Sequence, residues 1–94
     1  MRWFEWHDAK LAKNLREHGI HFEVAREVFD NEAADIEVDQ FEAEERWIVT
    51  GRTRRGVLLV VVHTVWYEED DEIIRIISAR RADSRERRKH DPYA

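Results

Sequence analysis

Residues 57–66 constrain the fold more than any other part of the chain. They read VLLVVVHTVW, so only His63 and Thr64 interrupt an otherwise apolar run of ten residues. A run of this kind predicts a central strand that is covered on both faces. Arg54-Arg55-Gly56 precedes the run and predicts a tight hairpin turn, because glycine tolerates positive φ. A turn this short favours antiparallel neighbours over parallel ones.

Four further segments predict strands, namely residues 3–6, 34–39, 46–52 and 73–81. The first is short and aromatic, which predicts an edge strand. The second is acidic, and its charges would deter unwanted pairing at a sheet edge. The last three of these segments and residues 57–66 together predict a four-stranded antiparallel sheet.

Three segments predict helices. Asp8 is a candidate N-cap for the first, and Gly19 is a candidate left-handed C-cap. The second helix is indicated by Phe22 and by Ala25, Val28 and Phe29, which follow it at helical spacing. Asp83 or Ser84 caps a basic terminal helix that runs through Lys89. The whole pattern predicts an α+β fold in one domain over residues 1–94, with helices packed on the sheet and a C-terminal helix.

The composition narrows the class of protein. The chain has 94 residues and no cysteine, so a disulfide framework and a cysteine-ligated zinc site are both excluded. No apolar stretch reaches the roughly 20 residues of a membrane span, and the N-terminus lacks a signal-peptide pattern. We therefore expect a soluble cytoplasmic protein that binds no membrane. No metal-ligand or cofactor-binding pattern is present, so neither is expected.

Charge is distributed in blocks along the chain. The net charge of −5 argues mildly against a nucleic-acid partner, but residues 30–45 hold eight acids and no base. Residues 75–90 hold seven bases against two acids, and Arg52, Arg54 and Arg55 form a second basic cluster. Local fields of this kind decide what a surface attracts. A salt-bridged surface with fortuitous blocks is the alternative interpretation.

An ordered series of short motifs runs through nearly the whole chain. The series comprises Phe4-Glu5-Trp6, Lys10, Asn14, His18-Gly19, Phe22, Val28-Phe29-Asp30, Glu45-Arg46, Gly51-Arg52, residues 58–64, residues 75–80 and Glu86-Arg87. In this order and spacing, the motifs resemble the BrnT family of toxins. The resemblance implies a RelE-like fold, cleavage of RNA, and neutralisation by a small BrnA-like antitoxin. Contact with DNA is then expected only indirectly, through the antitoxin.

The chain departs from the family pattern at two positions. His7 stands where relatives usually carry Asp, so we expect Asp8 to take the capping role. His90 stands where we expect a Tyr, and it is therefore a candidate for whatever catalytic part that Tyr has.

Metal-independent cleavage of RNA needs a base for the 2′-hydroxyl, cations for the phosphorane and an acid for the leaving 5′-oxygen. Arginine suits the second role because its planar fork binds phosphate and stays protonated. Arg80 and Arg81 end the last predicted strand, and strand alternation predicts that Arg75 shares a face with Arg81. A structural alternative for these arginines is an ion pair with a carboxylate such as Glu45 or Glu86.

Two more side chains are candidates for the catalytic site. His63 interrupts the central apolar strand and titrates near neutral pH, which suits acid–base chemistry; the alternative is a buried, hydrogen-bonded histidine. Lys10 lies on the first helix within reach of the sheet, or else is simply solvated. With Arg75, Arg80, Arg81 and His90, these residues are the predicted catalytic set.

The sequence leaves three functions open. The first is a ribonuclease toxin of a type II toxin–antitoxin system. The second is a non-catalytic antitoxin-binding module or regulator with the same fold, favoured by the net charge and by the absence of the expected Tyr. The third is a nucleic-acid-binding repressor, which is weaker because no helix-turn-helix or ribbon-helix-helix pattern is present.

Overall fold

A computed structural model describes residues 1–39 and 45–91. The strands are β1 (Arg2–Glu5), β2 (Asp35–Asp39), β3 (Arg46–Arg52), β4 (Leu58–Glu68) and β5 (Asp71–Arg81). The helices are α1 (Asp8–His18), α2 (Phe22–Ala25), a 3₁₀ helix (Arg26–Asp30) and α3 (Ser84–His90). No helix in the described part of the chain is long and apolar enough to cross a membrane.

The sheet is mixed and has five strands, in the order β1-β5-β4-β3-β2. The predicted antiparallel four-stranded sheet is present as β2 to β5, but β1 adds a fifth strand that runs parallel to β5. The expectation of a wholly antiparallel four-stranded sheet was therefore wrong. The Arg2 guanidinium donates to the Glu72 carboxylate at 2.6 Å across this parallel pair, which fixes its register over 70 residues of chain separation.

The helix boundaries correct one of the predicted caps. His7 is the N-cap of α1, with extended backbone angles and no side-chain hydrogen bond, whereas Asp8 lies inside the first turn. There its carboxylate complements the positive end of the helix dipole. Gly19 is the predicted left-handed C-cap, with φ of 67°. At α3 the cap is Asp83, which forms a reciprocal capping box with Glu86.

The hydrophobic core lies on one side of the sheet, which we call the first face. Phe22 and Val28 come from the helical segment after α1 and are fully buried against Val49, Val61 and Ile76 of the sheet. The opposite side, the second face, has a smaller cluster of Leu58, Val60 and Ala82, with Ile48 packed against it. The polar side chains of the second face are therefore not buried beneath the main helical layer.

A β-bulge decides which side chains of β5 share a face. Residues of β4 and β5 pair in register until Val62 and His63, where β5 contains one additional residue. Arg75 therefore lies opposite Thr64, and Arg80 opposite Val60, so both are on the second face. Arg81 lies opposite Leu59 and belongs to the first face. The predicted grouping of Arg75 with Arg81 was wrong because simple alternation fails across a bulge.

Asn14 attaches α1 to the edge of β5 beyond the end of β1. Its buried side-chain amide donates to the carbonyl oxygens of Ile20 and Ala79, and its oxygen accepts from the Ala79 N–H at 2.9 Å. The side chain thus replaces the hydrogen bonds that a neighbouring strand would supply. This attachment positions α1 beside the sheet, with its first turn next to the second face.

Candidate active site

Cationic side chains from three elements meet in a shallow groove of about 180 Å³ at the α1 side of the second face. We call it the Arg75 groove. Its polar lining consists of His7, Lys10, Arg46, Thr64 and Arg75. The first two come from the start of α1, Arg46 from the start of β3, and the last two from paired positions on β4 and β5. The structure thus brings together two predicted site residues, Lys10 and Arg75.

Arg75 is held in a defined orientation. One terminal nitrogen donates to the Glu5 carboxylate at 3.3 Å, and the guanidinium carbon lies 5.2 Å from the centre of the Trp66 ring. Its Nε is buried and has no hydrogen-bond partner among residues 1–39 and 45–91. A guanidinium fixed by an ion pair and an aromatic ring loses little freedom when it binds an anion.

Arg80 lies on the same face but has a different environment. Its two terminal nitrogens bind both oxygens of Glu86, at 2.7 and 2.8 Å. The hydrogen bond from Arg80 lowers the pKa of Glu86 to about 2 and raises the pKa of Arg80. The ion pair with Glu86 that the sequence left open as an alternative is thus present, and it attaches α3 to the sheet.

His90 lies at the end of α3 and contacts the acidic edge strand. Its Nδ1 is 2.9 Å from Oδ2 of Asp35, and its side chain is mostly buried. His90 follows Glu86 by one helical turn, so both line the same groove between α3 and β2. His90 therefore shares the second face with Arg80, but it does not line the Arg75 groove.

His63 lies on the other side of the sheet. Its side chain is 5% exposed, and its ring packs edge-on against Phe29 with 4.8 Å between centroids. Burial lowers the pKa of His63 to about 4, against a weaker raising effect of the Val61 backbone. The structure does not bring this imidazole to Arg75 or Arg80, and it is neutral at physiological pH.

Arg81 is also separated from the other predicted residues. It lies on the first face and lines a larger cavity with Arg54 and Arg55 of the β3–β4 turn. The predicted catalytic set is therefore divided: Lys10, Arg75, Arg80 and His90 are on the second-face side, and His63 and Arg81 are on the first.

Sequence reasoning missed two residues of the Arg75 groove. His7 was treated only as a replaced cap, although its exposed side chain makes no capping hydrogen bond and lines the groove. Arg46 was noted as part of a motif, and its place beside Thr64 in the groove depends on the β3–β4 register, in which the next residue, Trp47, pairs with His63. For His7, the available signal in the sequence was a histidine at a position where relatives usually carry Asp. Within residues 1–39 and 45–91, no group of three or more His, Asp and Glu side chains is arranged to hold a metal ion.

Comparison with known proteins identifies the family and the fold. Residues 6–86 match the model of a family described as the ribonuclease toxin, BrnT, of type II toxin–antitoxin systems. The fold is similar to a crystal structure of the Brucella abortus ribonuclease toxin BrnT, with a TM-score of 0.62 and 20% sequence identity. That match covers 89% of this chain and 99% of the Brucella chain. The search of curated proteins found no match. The chain belongs to the BrnT family, and it is an endoribonuclease toxin of a type II toxin–antitoxin system.

Proposed function

We propose that the toxin binds the scissile phosphate of its RNA substrate in the Arg75 groove and cleaves it without a metal cofactor. The observation that supports this proposal is the convergence of His7, Lys10, Arg46 and Arg75 on one face of the sheet. The groove concentrates positive charge in a chain whose net charge is −5. Such a local field attracts a phosphodiester even when the whole protein is acidic.

The side chains of the groove supply each role that the reaction needs. The exposed imidazole of His7 takes the proton of the 2′-hydroxyl, and the 2′-oxygen forms a bond to phosphorus. Arg75 stabilises the negative charge of the phosphorane that results. Lys10 donates a proton to the 5′-oxygen as its bond to phosphorus breaks. The products are a 2′,3′-cyclic phosphate and a free 5′-hydroxyl.

Arg80 and His90 support this site by attaching α3 to the sheet. Because both terminal nitrogens of Arg80 bind Glu86, we assign Arg80 to positioning α3 rather than to gripping phosphate. The contact of His90 with Asp35 attaches the other end of α3 to β2. RNA that crosses the second face then meets α3, whose last turn carries Arg87, Arg88 and Lys89.

The protein partner follows from the family. A type II toxin is neutralised by a protein antitoxin, which we propose to be BrnA-like. In this proposal the toxin contacts DNA only indirectly, as part of its complex with the antitoxin. A partner that binds only the folded toxin also stabilises this small domain.

The proposal is tested by cleavage of a defined RNA oligonucleotide by purified toxin. Lys10→Ala should lower kcat/KM by about 100-fold, as expected for loss of a group that contacts the reacting phosphate. Arg16→Ala is the matched control, because Arg16 is an exposed cation on the same helix that does not line the groove. The control should retain activity within about threefold.

Two measurements separate the parts of the proposal. Cleavage should persist in EDTA and should leave cyclic phosphate ends, which are detected by mass spectrometry. Full loss of activity in EDTA that Mg²⁺ restores would disprove cleavage without a metal. Equal activity of Lys10→Ala and wild type, with both shown to be folded, would instead remove the Arg75 groove from the reaction.

A further inference from the structure

A second basic cavity, of about 640 Å³, lies on the first face between the end of α1, α2 and the β3–β4 turn. We call it the Arg81 groove. Its lining includes Ile20, Val24, Val57, Leu59, Arg55 and Arg81. Ile20 and Leu59 form a buried aliphatic base, whereas the Val24 and Val57 side chains are 43% and 39% exposed. The groove thus combines an apolar surface with positive charge.

The arginines of this groove differ in how they are held. Arg54 donates its backbone N–H to Glu27 at 3.0 Å, and its guanidinium lies 4.0 Å from the same carboxylate. Arg55 and Arg81 are exposed, and their guanidinium groups form no hydrogen bond or ion pair within the described residues. The molecule pairs Arg75 and Arg80 with its own carboxylates but leaves these two cations to solvent.

We propose that the Arg81 groove is a docking site for an acidic, aliphatic segment of the antitoxin. Aliphatic side chains of that segment cover Val24 and Val57, and its carboxylates pair with Arg55 and Arg81. Desolvating an apolar centre supplies most of the affinity, and the charges at the rim select an acidic partner and speed association. The inference depends on the assignment to a toxin–antitoxin family, because the partner is taken from it.

The chemistry of the groove favours this occupant over two others. RNA binds to single-strand sites by stacking its bases on aromatic rings. Among the described residues, the apolar side chains that line the groove are aliphatic, and His21 supplies the one aromatic ring. A second copy of the toxin that docked groove to groove would place Arg55 and Arg81 against the same arginines. Like charges across such an interface are unfavourable.

The test uses the purified toxin and the antitoxin polypeptide encoded beside its gene, with binding measured by isothermal titration calorimetry. Arg55→Glu/Arg81→Glu should weaken the complex by about 100-fold, because the groove would then repel carboxylates. Arg16→Glu/Arg88→Glu is the matched control, since it reverses two exposed arginines outside the groove and gives the same net charge. The control should change the dissociation constant by less than about threefold.

A second variant tests the apolar part of the groove. Val24→Asp should also weaken binding by more than about 10-fold, because a carboxylate at this half-exposed position opposes an acidic partner. Its fold should be preserved, because acidic residues suit the first turn of a helix. Thermal melts of all variants exclude unfolding as the cause of lost binding. Cleavage of RNA by free toxin should be unchanged in Arg55→Glu/Arg81→Glu and in Val24→Asp.

Several outcomes would overturn the inference. Equal weakening by the groove and control double variants would show that binding follows net charge alone. Loss of RNA cleavage in Arg55→Glu/Arg81→Glu would assign the groove to RNA, and a change in the toxin's own oligomeric state would assign it to a second copy. If Lys10→Ala leaves cleavage intact, the proposed active site is wrong. The calorimetric comparison of the groove and control double variants still tests the docking site.

Discussion

The two basic grooves lie on opposite faces of one sheet, and they differ in how their arginines are held. In the Arg75 groove the guanidinium of Arg75 is fixed by Glu5 and by the Trp66 ring. In the Arg81 groove, Arg55 and Arg81 project from an aliphatic surface without partners among the described residues. A fixed cation loses little entropy on binding a small rigid group such as phosphate. A cation without such a partner, beside an apolar surface, is better suited to a protein partner, which supplies the apolar contact itself.

Helix α1 connects the two grooves. Its first turn brings Lys10 to the Arg75 groove, and its C-cap Gly19 lines the Arg81 groove. An antitoxin anchored at the Arg81 groove therefore contacts the end of the same helix whose start carries the proposed catalytic residues. Blocking the second face then requires only that another part of the antitoxin reach around this helix.

The largest expected effect comes from removing one arginine on each face. Arg75→Gln should lower kcat/KM for RNA cleavage by about 100- to 1,000-fold, the range seen when a group that stabilises transition-state charge is lost. Arg81→Gln should change cleavage by less than about threefold. Both substitutions remove one positive charge. Steady-state kinetics on one RNA oligonucleotide therefore separates the effect of the residue's position from the effect of the lower net charge. Equal losses of kcat/KM in the two variants would contradict the proposal that RNA is cleaved on the second face and the antitoxin docks on the first.

A smaller effect is expected from detaching α1. Asn14→Ala leaves the N–H and C=O of Ala79 without partners on a buried edge, which should lower the free energy of unfolding by about 3 kcal/mol. Lys13→Ala, at an exposed neighbouring position, should cost less than about 0.5 kcal/mol. Urea denaturation of the three proteins measures both values. A cost below about 1 kcal/mol for Asn14→Ala would show that α1 is held by its apolar contacts alone.

Sequence patterning predicted most of the elements because each is encoded locally. The apolar run at residues 57–66 is the central strand, and the glycine after His18 ends α1 as expected. The position of β1 was not predictable, because it depends on pairing with Glu72 and its neighbours at the far end of the chain. The four-residue strand carries no signal for the direction in which it pairs.

The candidate site was only partly predictable for a related reason. A single additional residue in β5 changes the face of every side chain that follows it, so Arg75 and Arg80 rather than Arg75 and Arg81 lie together. Bulges depend on tertiary packing and leave no reliable pattern in the sequence. The ion pair of Arg80 with Glu86 was foreseeable as an alternative, because capping at Asp83 positions Glu86 in the first turn of α3.

His63 supplies a stability prediction that separates it from the active site. Because its pKa in the folded protein is lowered from 6.5 to about 4, the unfolded chain binds the proton more tightly. Stability should therefore fall by about 3 kcal/mol as the pH decreases from 6.5 to 4, and stay level with respect to this group below 4. His63→Leu removes the titrating group and should flatten that part of the profile.

The same variant tests whether His63 takes part in catalysis. If cleavage depends on His7, the pH–rate profile of His63→Leu should keep the wild-type shape, while His7→Gln should lose the limb that reports the base. Chemical denaturation and single-turnover kinetics between pH 5 and 8 provide the two readouts. A rate limb that vanishes with His63→Leu would return this buried histidine to the reaction and remove His7 from it.

The smallest expected effect concerns the ion pair that attaches α3 to the second face. The Arg80 hydrogen bonds lower the pKa of Glu86 from its ordinary value of 4.5 to about 2, so the ionised carboxylate stabilises the fold at pH values above 4.5. This contribution disappears as the pH falls from 4.5 through 2. Both side chains are partly exposed, so solvent screening reduces the effect to about 1 kcal/mol. Glu86→Gln should therefore lose about that much stability at pH 7, and its stability should depend less on pH below 4.5. The control is Glu32→Gln, at an exposed position outside the helices and strands, and its stability should match that of the wild type. Because α3 borders the second face, Glu86→Gln should also raise KM for RNA about threefold while leaving antitoxin binding at the Arg81 groove unchanged. If Glu86→Gln lost antitoxin affinity but kept its KM for RNA, α3 would act with the first face, which would contradict the assignment of α3 to the RNA-binding face.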